Sequence, residues 1–379
     1  MTETAHLQIT DAMVAALRAQ IGVESSPHNP WHEAATFDAI RHYAWGIGDD
    51  NPLWTDPAYA AGSPWGGVIA PPTFLSTTNH GPRGPGVPPK PAPGLAGIHG
   101  FRVSDTWEFL TPTREGDRIA VSEYLAGVED RFSRSRGRMV YQQREARYVN
   151  QVGTVLARHN RLTVSHERGV ARADERYADI NRWVYSDDEL AMIDWDYEGE
   201  IRRGAEPRYW EDVEVGEEIG HVVKGPLTVL ALLTYFMGWG MAYGMTDKIA
   251  RDYRRLHPHD VFPHPDTNVP DFQDRAHWGD PLVHELGFPL GYDIGAQRIA
   301  WFAHALTNWH GDHGFLRSLR VSLLSPNWLG DTTWIRGRVT DKHMQGREPL
   351  VSIDLWGENQ RRDRHSQASA TVRLPSRDK

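Results

Sequence analysis

The 379-residue sequence contains no cysteine. That absence excludes disulfides, thiolate metal sites and cysteine nucleophiles together, and it suits a reducing compartment, so a cytoplasmic location is expected. No stretch approaches the ~18 consecutive apolar residues of a membrane-spanning helix, so no membrane association is expected. A basic excess is missing too: 41 Lys and Arg stand against 50 Asp and Glu, a net charge of −9. Nucleic-acid binders displace counterions with a basic stripe, so nucleic acid is not an expected partner. The first residues carry acids and no long apolar core, unlike a signal peptide, and Ser376-Arg377-Asp378-Lys379 matches no lipidation or peroxisomal signal.

What is present describes an ordinary globular chain. Hydrophobic residues make up 40% and charged residues 24%, the balance of a folded protein, and the length suits two domains. Fifteen tryptophans require substantial cores or a broad apolar pocket.

The chain repeats itself. Trp54-Thr55-Asp56-Pro57 returns as Trp278-Gly279-Asp280-Pro281, each followed by a glycine (Gly67, Gly291) and an apolar stretch. Leu110-Thr111-Pro112 with Gly116-Asp117 returns as Leu324-Ser325-Pro326 with Gly330-Asp331, and Asn150-Gln151 as Asn359-Gln360. Three echoes in one order mark two copies of one unit. The alternating segments after the aspartates, such as Thr333 to Val339, have the period of strands. Helices are predicted over 36–47 in the first unit, and over 228–236 and 296–308 in the second. A long helix wrapped by an antiparallel sheet is an α+β arrangement, and two copies can share one continuous sheet.

The expected units are residues 1–168 and 206–379, joined by a linker over 169–205. Ser186 is predicted to cap a solvated helix there, with Asp187, Asp188 and Glu189 suiting its dipole. The Pro- and Gly-rich segment 81–97 reads as a loop. Residues from about 241 to 276 have no counterpart in the first unit and read as an insertion; long loops of this kind are functional or disordered.

The stretch Gly48-Asp49-Asp50-Asn51-Pro52-Leu53-Trp54-Thr55-Asp56-Pro57 resembles the MaoC-like hydratase/dehydratase signature, in which D-x-N-P-x-H precedes a D-P segment. Gly66-Gly67-Val68-Ile69-Ala70-Pro71-Pro72-Thr73-Phe74-Leu75 is similar to the FAS1-like dehydratase N-terminal run, and Arg208 to Gly216 to the opening of a second MaoC-type unit. The resemblance implies a tandem hot-dog fold. It also implies hydration of a 2-enoyl thioester, or dehydration of a 3-hydroxyacyl thioester, as a CoA ester or on a carrier protein, with no cofactor beyond CoA as part of the substrate. Such chemistry needs a carboxylate and an imidazole for proton transfers, with backbone N–H groups for the enolate oxygen.

The sequence departs from the motif at one place. Asp49 and Asn51 match, but Trp54 stands where the family has histidine, and an indole N–H neither gives nor takes a proton near neutral pH. In the second unit Gly240-Met241 falls where the aspartate belongs. The replacement acid/base candidates are His277 with Asp280, and Asp293 at a helix start. Trp54, Ile69, Tyr292 and Gly295 are candidate substrate contacts. Arg254 and Arg255, with Arg251, are candidates for the phosphates of a thioester arm.

Plainer readings compete. Asp49 sits in good turn chemistry, Asp56 and Asp280 suit helix caps, and Trp54 and Trp278 suit core packing. His80 and His284 carry weaker signals. The clusters His257, His259, Asp260, His264, Asp266 and His310, Asp312, His313 read as loop polarity rather than a metal site. Two alternatives to a hydro-lyase stay open: a non-catalytic acyl-thioester-binding subunit that partners a catalytic MaoC-like chain, and a hot-dog thioesterase. A homo-oligomer, or a hetero-oligomer with such a chain, is expected.

Overall fold

Alternation in the sequence becomes alternation in burial. Thr333, Ile335, Gly337 and Val339 point inward, while Arg336 and Arg338 between them are exposed, so one face of the strand meets a core. The computed structural model describes residues 8–81, 95, 98, 100–133, 137–166, 177, 179–264, 266–278, 283–284 and 288–378. The predicted Pro/Gly loop lies outside them almost entirely.

The first unit carries strands β1 (Glu24–Ser25), β2 (Gly100–Phe109), β3 (Ile119–Ser133), β4 (Gly137–Asn150) and β5 (Val155–His166). The second carries β6 (Glu218–Lys224), β9 (Phe315–Leu323), β10 (Thr333–Gln345), β11 (Glu348–Asn359) and β12 (Arg364–Arg373). These ten make one sheet in the order β1-β3-β4-β5-β2-β9-β12-β11-β10-β6, each half mirroring the other. The halves join through β2 and β9, with Trp107 opposite Leu319. One continuous sheet is what the repeats implied.

The echoes are hydrogen-bond clamps at matching corners. Asn150 Nδ2 donates to Asp117 and Arg118 N to Gln151 Oε1; likewise Gln360 Oε1 accepts from Thr332 N, and Asp331 accepts from Gln360 Nε2. Each clamp ties the start of one strand to the hairpin beyond its neighbour. Buried turn groups must be satisfied somewhere, and the same solution recurs.

Helix α1 (Asp11–Arg18) precedes β1, helices α2 (Phe37–Gly46), α3 (Pro52–Thr55) and α4 (Pro57–Ala61) lie between β1 and β2, and α5 (Asp187–Glu198) lies between the units. The second unit contributes α6 (Val229–Trp239), α7 (Asp247–Leu256) and α8 (Gly295–His310). Thr36 and Thr228 cap α2 and α6 by accepting from Ala39 N and Ala231 N. The two helices cross at matching glycines. A Cβ at Gly46 would lie 3.1 Å from Thr234 O, and one at Gly238 only 2.4 Å from His42 O, so backbones touch where a side chain would separate them.

The units differ at their central helices. In the second, α8 is buried along nearly its whole length. In the first, residues 72–78 form a 3-10 helix. Pro71-Pro72 opens it, and the Ser76 and Thr78 hydroxyls donate to Thr73 O and Leu75 O, local bonds that compete with a regular helix.

The linker helix α5 has the predicted cap as a full box between Ser186 and Glu189. It is docked rather than merely solvated: Asp196 accepts from Trp334 Nε1 at 2.8 Å, and Tyr197 donates to Gly225 O at 2.7 Å. The insertion is ordered where described. It holds α7 and the hairpin of β7 (Val261–Pro263) and β8 (Pro270–Phe272), over a small core of Tyr243, Ala250, Tyr253 and Phe272.

Candidate active site between the two units

The segment after α2 is a chain of caps. Gly48 turns it with φ 66°, a conformation glycine adopts without cost, and a Cβ there would press on Lys224 Nζ. Asp49 Oδ1 accepts from Asn51 N at 3.1 Å, and Asn51 Oδ1 from Leu53 N at 3.0 Å. Asp56 accepts from Ala58 N and Tyr59 N at the start of α4. Turn chemistry and candidate chemistry thus coexist at Asp49. Its other oxygen, Oδ2, is buried without a hydrogen-bond partner, as is the Trp54 indole N–H.

The second unit supplies what the loop lacks. His304 projects from α8 with Nε2 3.7 Å from Asp49 Oδ1, and Asn308, one turn on, lies 3.2 Å from the same nitrogen. Lys224, the last residue of β6, donates to Ile47 O and Gly48 O at 2.9 Å each and to His304 Nδ1 at 2.7 Å. With the ammonium donating to Nδ1, the hydrogen of a neutral His304 sits on Nε2, facing Asp49. The Asn308 amide then serves best with its oxygen toward that nitrogen.

Burial sets the proton affinities. It raises Asp49 to about 6, against the lowering effects of the Asn51 N–H, the Lys224 charge and the Trp54 indole. It lowers Lys224 to about 8, opposed by Glu200, Asp49 and Asp50. His304 is pushed well below its ordinary value by burial first and by Lys224 next, which favours a neutral imidazole. A carboxylate poised near neutrality beside a neutral imidazole is an arrangement for moving protons.

Two openings flank the cluster. An apolar cleft is lined by Asn51, Trp54, Ile69, Leu75, Phe109 and Leu316. A wider polar one is lined by Gly48, Asp50, Lys224, Gln297 and Asn308, and by Arg202, which pairs with Asp50. Of the predicted residues, Asp49, Asn51, Trp54 and Ile69 therefore gather here.

The others go elsewhere. The two oxygens of Asp293 are taken by Arg298, at 2.6 Å from Nε and 2.9 Å from Nη2, so this carboxylate anchors α8. His277 Nδ1 donates to Tyr292 O at 2.8 Å, and its ring lines a second cavity, apart from the Asp49 cluster. Tyr292 is buried beside it. Gly295 opens α8 against Leu323 and Arg102. Arg254 and Arg255 lie in the last turn of α7 and line neither opening of the Asp49 site. Asp280 lies outside the described residues.

The polar clusters also find local partners. Asp260 accepts from Tyr253 Oη at 2.6 Å, and Asp312 from Tyr59 Oη at 2.6 Å. His284 pairs with Pro289 O, and His80 with Ser76 O. Among the described residues no group of three or more His, Asp or Glu converges as a metal site would.

Sequence reasoning missed His304, Asn308 and Lys224. A signal existed: a histidine and an asparagine four apart, in the largely apolar stretch Ile299 to Trp309, share one face of the helix. Lys224 ends the run Val222-Val223 as a lone charge among apolar neighbours.

This fold is that of the double hot-dog proteins. A solved MaoC-like dehydratase superposes with a TM-score of 0.63 over 95% of this chain and 100% of its own, at 17% identity. A conserved hypothetical protein from Mycobacterium tuberculosis with a double hot-dog fold matches with a TM-score of 0.51, covering 90% and 92%, at 11% identity. Residues 19–159 match the family described as FAS1-like, dehydratase domain region. Over 109 residues the chain is 29% identical to a UPF0336 protein of Streptomyces avermitilis, spanning 29% of this chain and 71% of that one. The first unit, over residues 19–159, matches a FAS1-like dehydratase region, and the chain as a whole shares its fold with a solved MaoC-like dehydratase.

Proposed function

We propose that the chain is a hydro-lyase that adds water to a 2-enoyl thioester or removes it from a 3-hydroxyacyl thioester, carried by CoA or a carrier protein. The observation that carries this reading is the buried Asp49 carboxylate, raised toward neutrality, with Oδ2 free of hydrogen bonds and Oδ1 3.7 Å from Nε2 of the His304 imidazole of the other unit. In hydration, Asp49 accepts a proton from water as the water oxygen bonds to Cβ. The electron pair of the C=C bond moves toward the thioester oxygen, and the proton taken up by Asp49 is returned to Cα, which restores the carboxylate. Dehydration runs the same steps backward.

Trp54 holds half of the role its position has in the family motif. Its indole N–H is a donor only, and it stands unpartnered near the unpartnered Asp49 oxygen. Together they offer one donor and one acceptor to a reacting water. A second donor is His304, whose Nε2 hydrogen is fixed by the Lys224 contact at Nδ1. The apolar cleft at Trp54 and Ile69 suits the acyl chain.

Turnover of 2-enoyl-CoA, followed by loss of the conjugated enoyl absorbance with free CoA measured in parallel, tests the reading. Asp49→Asn and His304→Ala, each checked for an intact fold, are expected to lower kcat/KM at least ~100-fold. Wild-type rates in both variants would sink the assignment. CoA release without enoyl loss would make the chain a thioesterase, and an inactive wild type that works only beside a second MaoC-like chain would make it a partner subunit.

A further inference from the structure

The approximate two-fold axis that relates the units gives the Asp49 site a mate. Met241 follows Gly240 as Asp49 follows Gly48, and His80 faces that turn as His304 faces the other, with Nε2 3.4 Å from Gly240 O. The proton acceptor is gone, but the space is not. A cavity of about 200 Å³, partly open to solvent, remains, with Asn79, His80, Trp239, Phe236, His277 and Ile294 among its walls.

Its basic side is built from the sheet. Arg102 and Arg161 line the cavity, and Arg144 stands behind Arg161. Arg102 donates to Asp105 at 2.8 Å, Arg161 to Glu123 at 3.1 Å and Arg144 to Glu123 at 3.3 Å. Burial of the two acids is outweighed by these neighbours: Arg102 and His159 hold Asp105 down to about 2, and Arg161 and Arg144 lower Glu123. On this side three guanidinium groups thus face two ionised carboxylates, leaving one positive charge over before Asp274 on the opposite wall is counted. His80 feels it: burial first, with Arg102 and Arg161 adding to it against the Gly240 and Ser76 carbonyls, lowers its proton affinity to about 4.

Two more groups point to a ligand. Tyr148 lines the cavity, fully buried, and its hydroxyl has no partner within hydrogen-bond distance; its nearest polar neighbour is Asn79, whose amide nitrogen donates one hydrogen to Glu123. Leaving such a donor unmet is costly. Ile294, the N-cap of the long helix α8, lines the same space, and a helix N-terminus favours an anion. On the side of His277 the wall carries Asp274, which disfavours a second negative charge. Phe236, Trp239 and Ala242 supply apolar surface between.

We propose that this cavity binds a small organic monocarboxylate, its carboxylate on Arg102, Arg161 and Tyr148 and its apolar body against Phe236 and Trp239. The site is separate from the Asp49 cluster and does not depend on the reaction there. Planar guanidinium forks suit a carboxylate, and a single surplus charge suits one carboxylate rather than a phosphate dianion.

Isothermal titration calorimetry of the full chain with hexanoate tests it. One hexanoate is expected to bind per chain, with hexanol and inorganic phosphate at least ~10-fold weaker, because a charge-assisted pair contributes about that factor or more. Arg161→Met is expected to weaken hexanoate at least ~10-fold, and the milder Tyr148→Phe about fivefold; Asp49→Asn is expected to bind as the wild type does. No heat with wild type up to ~20 mM hexanoate, a concentration that reports even weak binding, would overturn the proposal. So would equal binding of hexanol or phosphate, or a loss in Asp49→Asn that Arg161→Met and Tyr148→Phe do not share. Because these readouts need no turnover, they stand or fall apart from the hydro-lyase reading.

Discussion

At the scale of the residue, Lys224 organises the centre. Its three hydrogens go to Ile47 O, Gly48 O and His304 Nδ1, so one side chain ties the Asp49 loop to the imidazole that faces it. It touches no reacting atom in this account and acts as a positioning residue. Removing its charge takes away one of the three neighbours that lower the proton affinity of Asp49, the others being the Asn51 N–H and the Trp54 indole. Lys224→Met is therefore expected to cut kcat by about 10- to 100-fold with KM little changed, and to move the acid limb of the pH–rate profile upward from about 6. A loss of kcat with an unmoved limb would show that Lys224 only supports the fold. Asp49 and Asn51 were legible in the sequence because their partners lie within a few residues and repeat a known local motif. His304 and Lys224 were not, since each meets Asp49 only through the packing of the second unit against the first.

At the scale of the element, the caps and strands were legible and the helix geometry was less so. Thr36, Ser186 and Thr228 announce their helices by side-chain capping alone, a local effect. The alternation of residues 333–339 announces a half-buried strand. The 3-10 form of 72–78 depended on hydroxyl bonds back to Thr73 O and Leu75 O, which a reading of apolar spacing does not weigh. The docking of α5 depended on distant Trp334 and Gly225. The crossing of α2 and α6 rests on close backbone contact. Gly238→Ala puts a methyl group 2.4 Å from His42 O and is expected to destabilise the fold by about 1–3 kcal/mol. Chemical denaturation would check this, and an unchanged midpoint would mean that the helices part without cost.

At the scale of the whole molecule, repetition gave the architecture away and divergence hid the site. The corner clamps at Asp117 and Asp331 survive in both units, because each must close the same sheet corner. The two ends of the approximate dyad diverged instead. One keeps Asp49 and borrows His304 from the other unit. Its mate holds Met241 and an arginine-walled cavity. A single motif search sees a broken D-x-N-P-x-H, whereas the folded chain rebuilds a carboxylate–imidazole pair across the interface of its halves.

The most direct test of that pair is the pH dependence of kcat/KM for hydration of a 2-enoyl-CoA between pH 5 and 8. Asp49 must be ionised to accept the proton of water, and burial has raised it to about 6. Activity is therefore expected to be full above that value and to fall about tenfold per pH unit below it, with His304 staying neutral throughout the range. A profile flat down to pH 5, or one whose activity rises as the solution is acidified, would contradict Asp49 as the base.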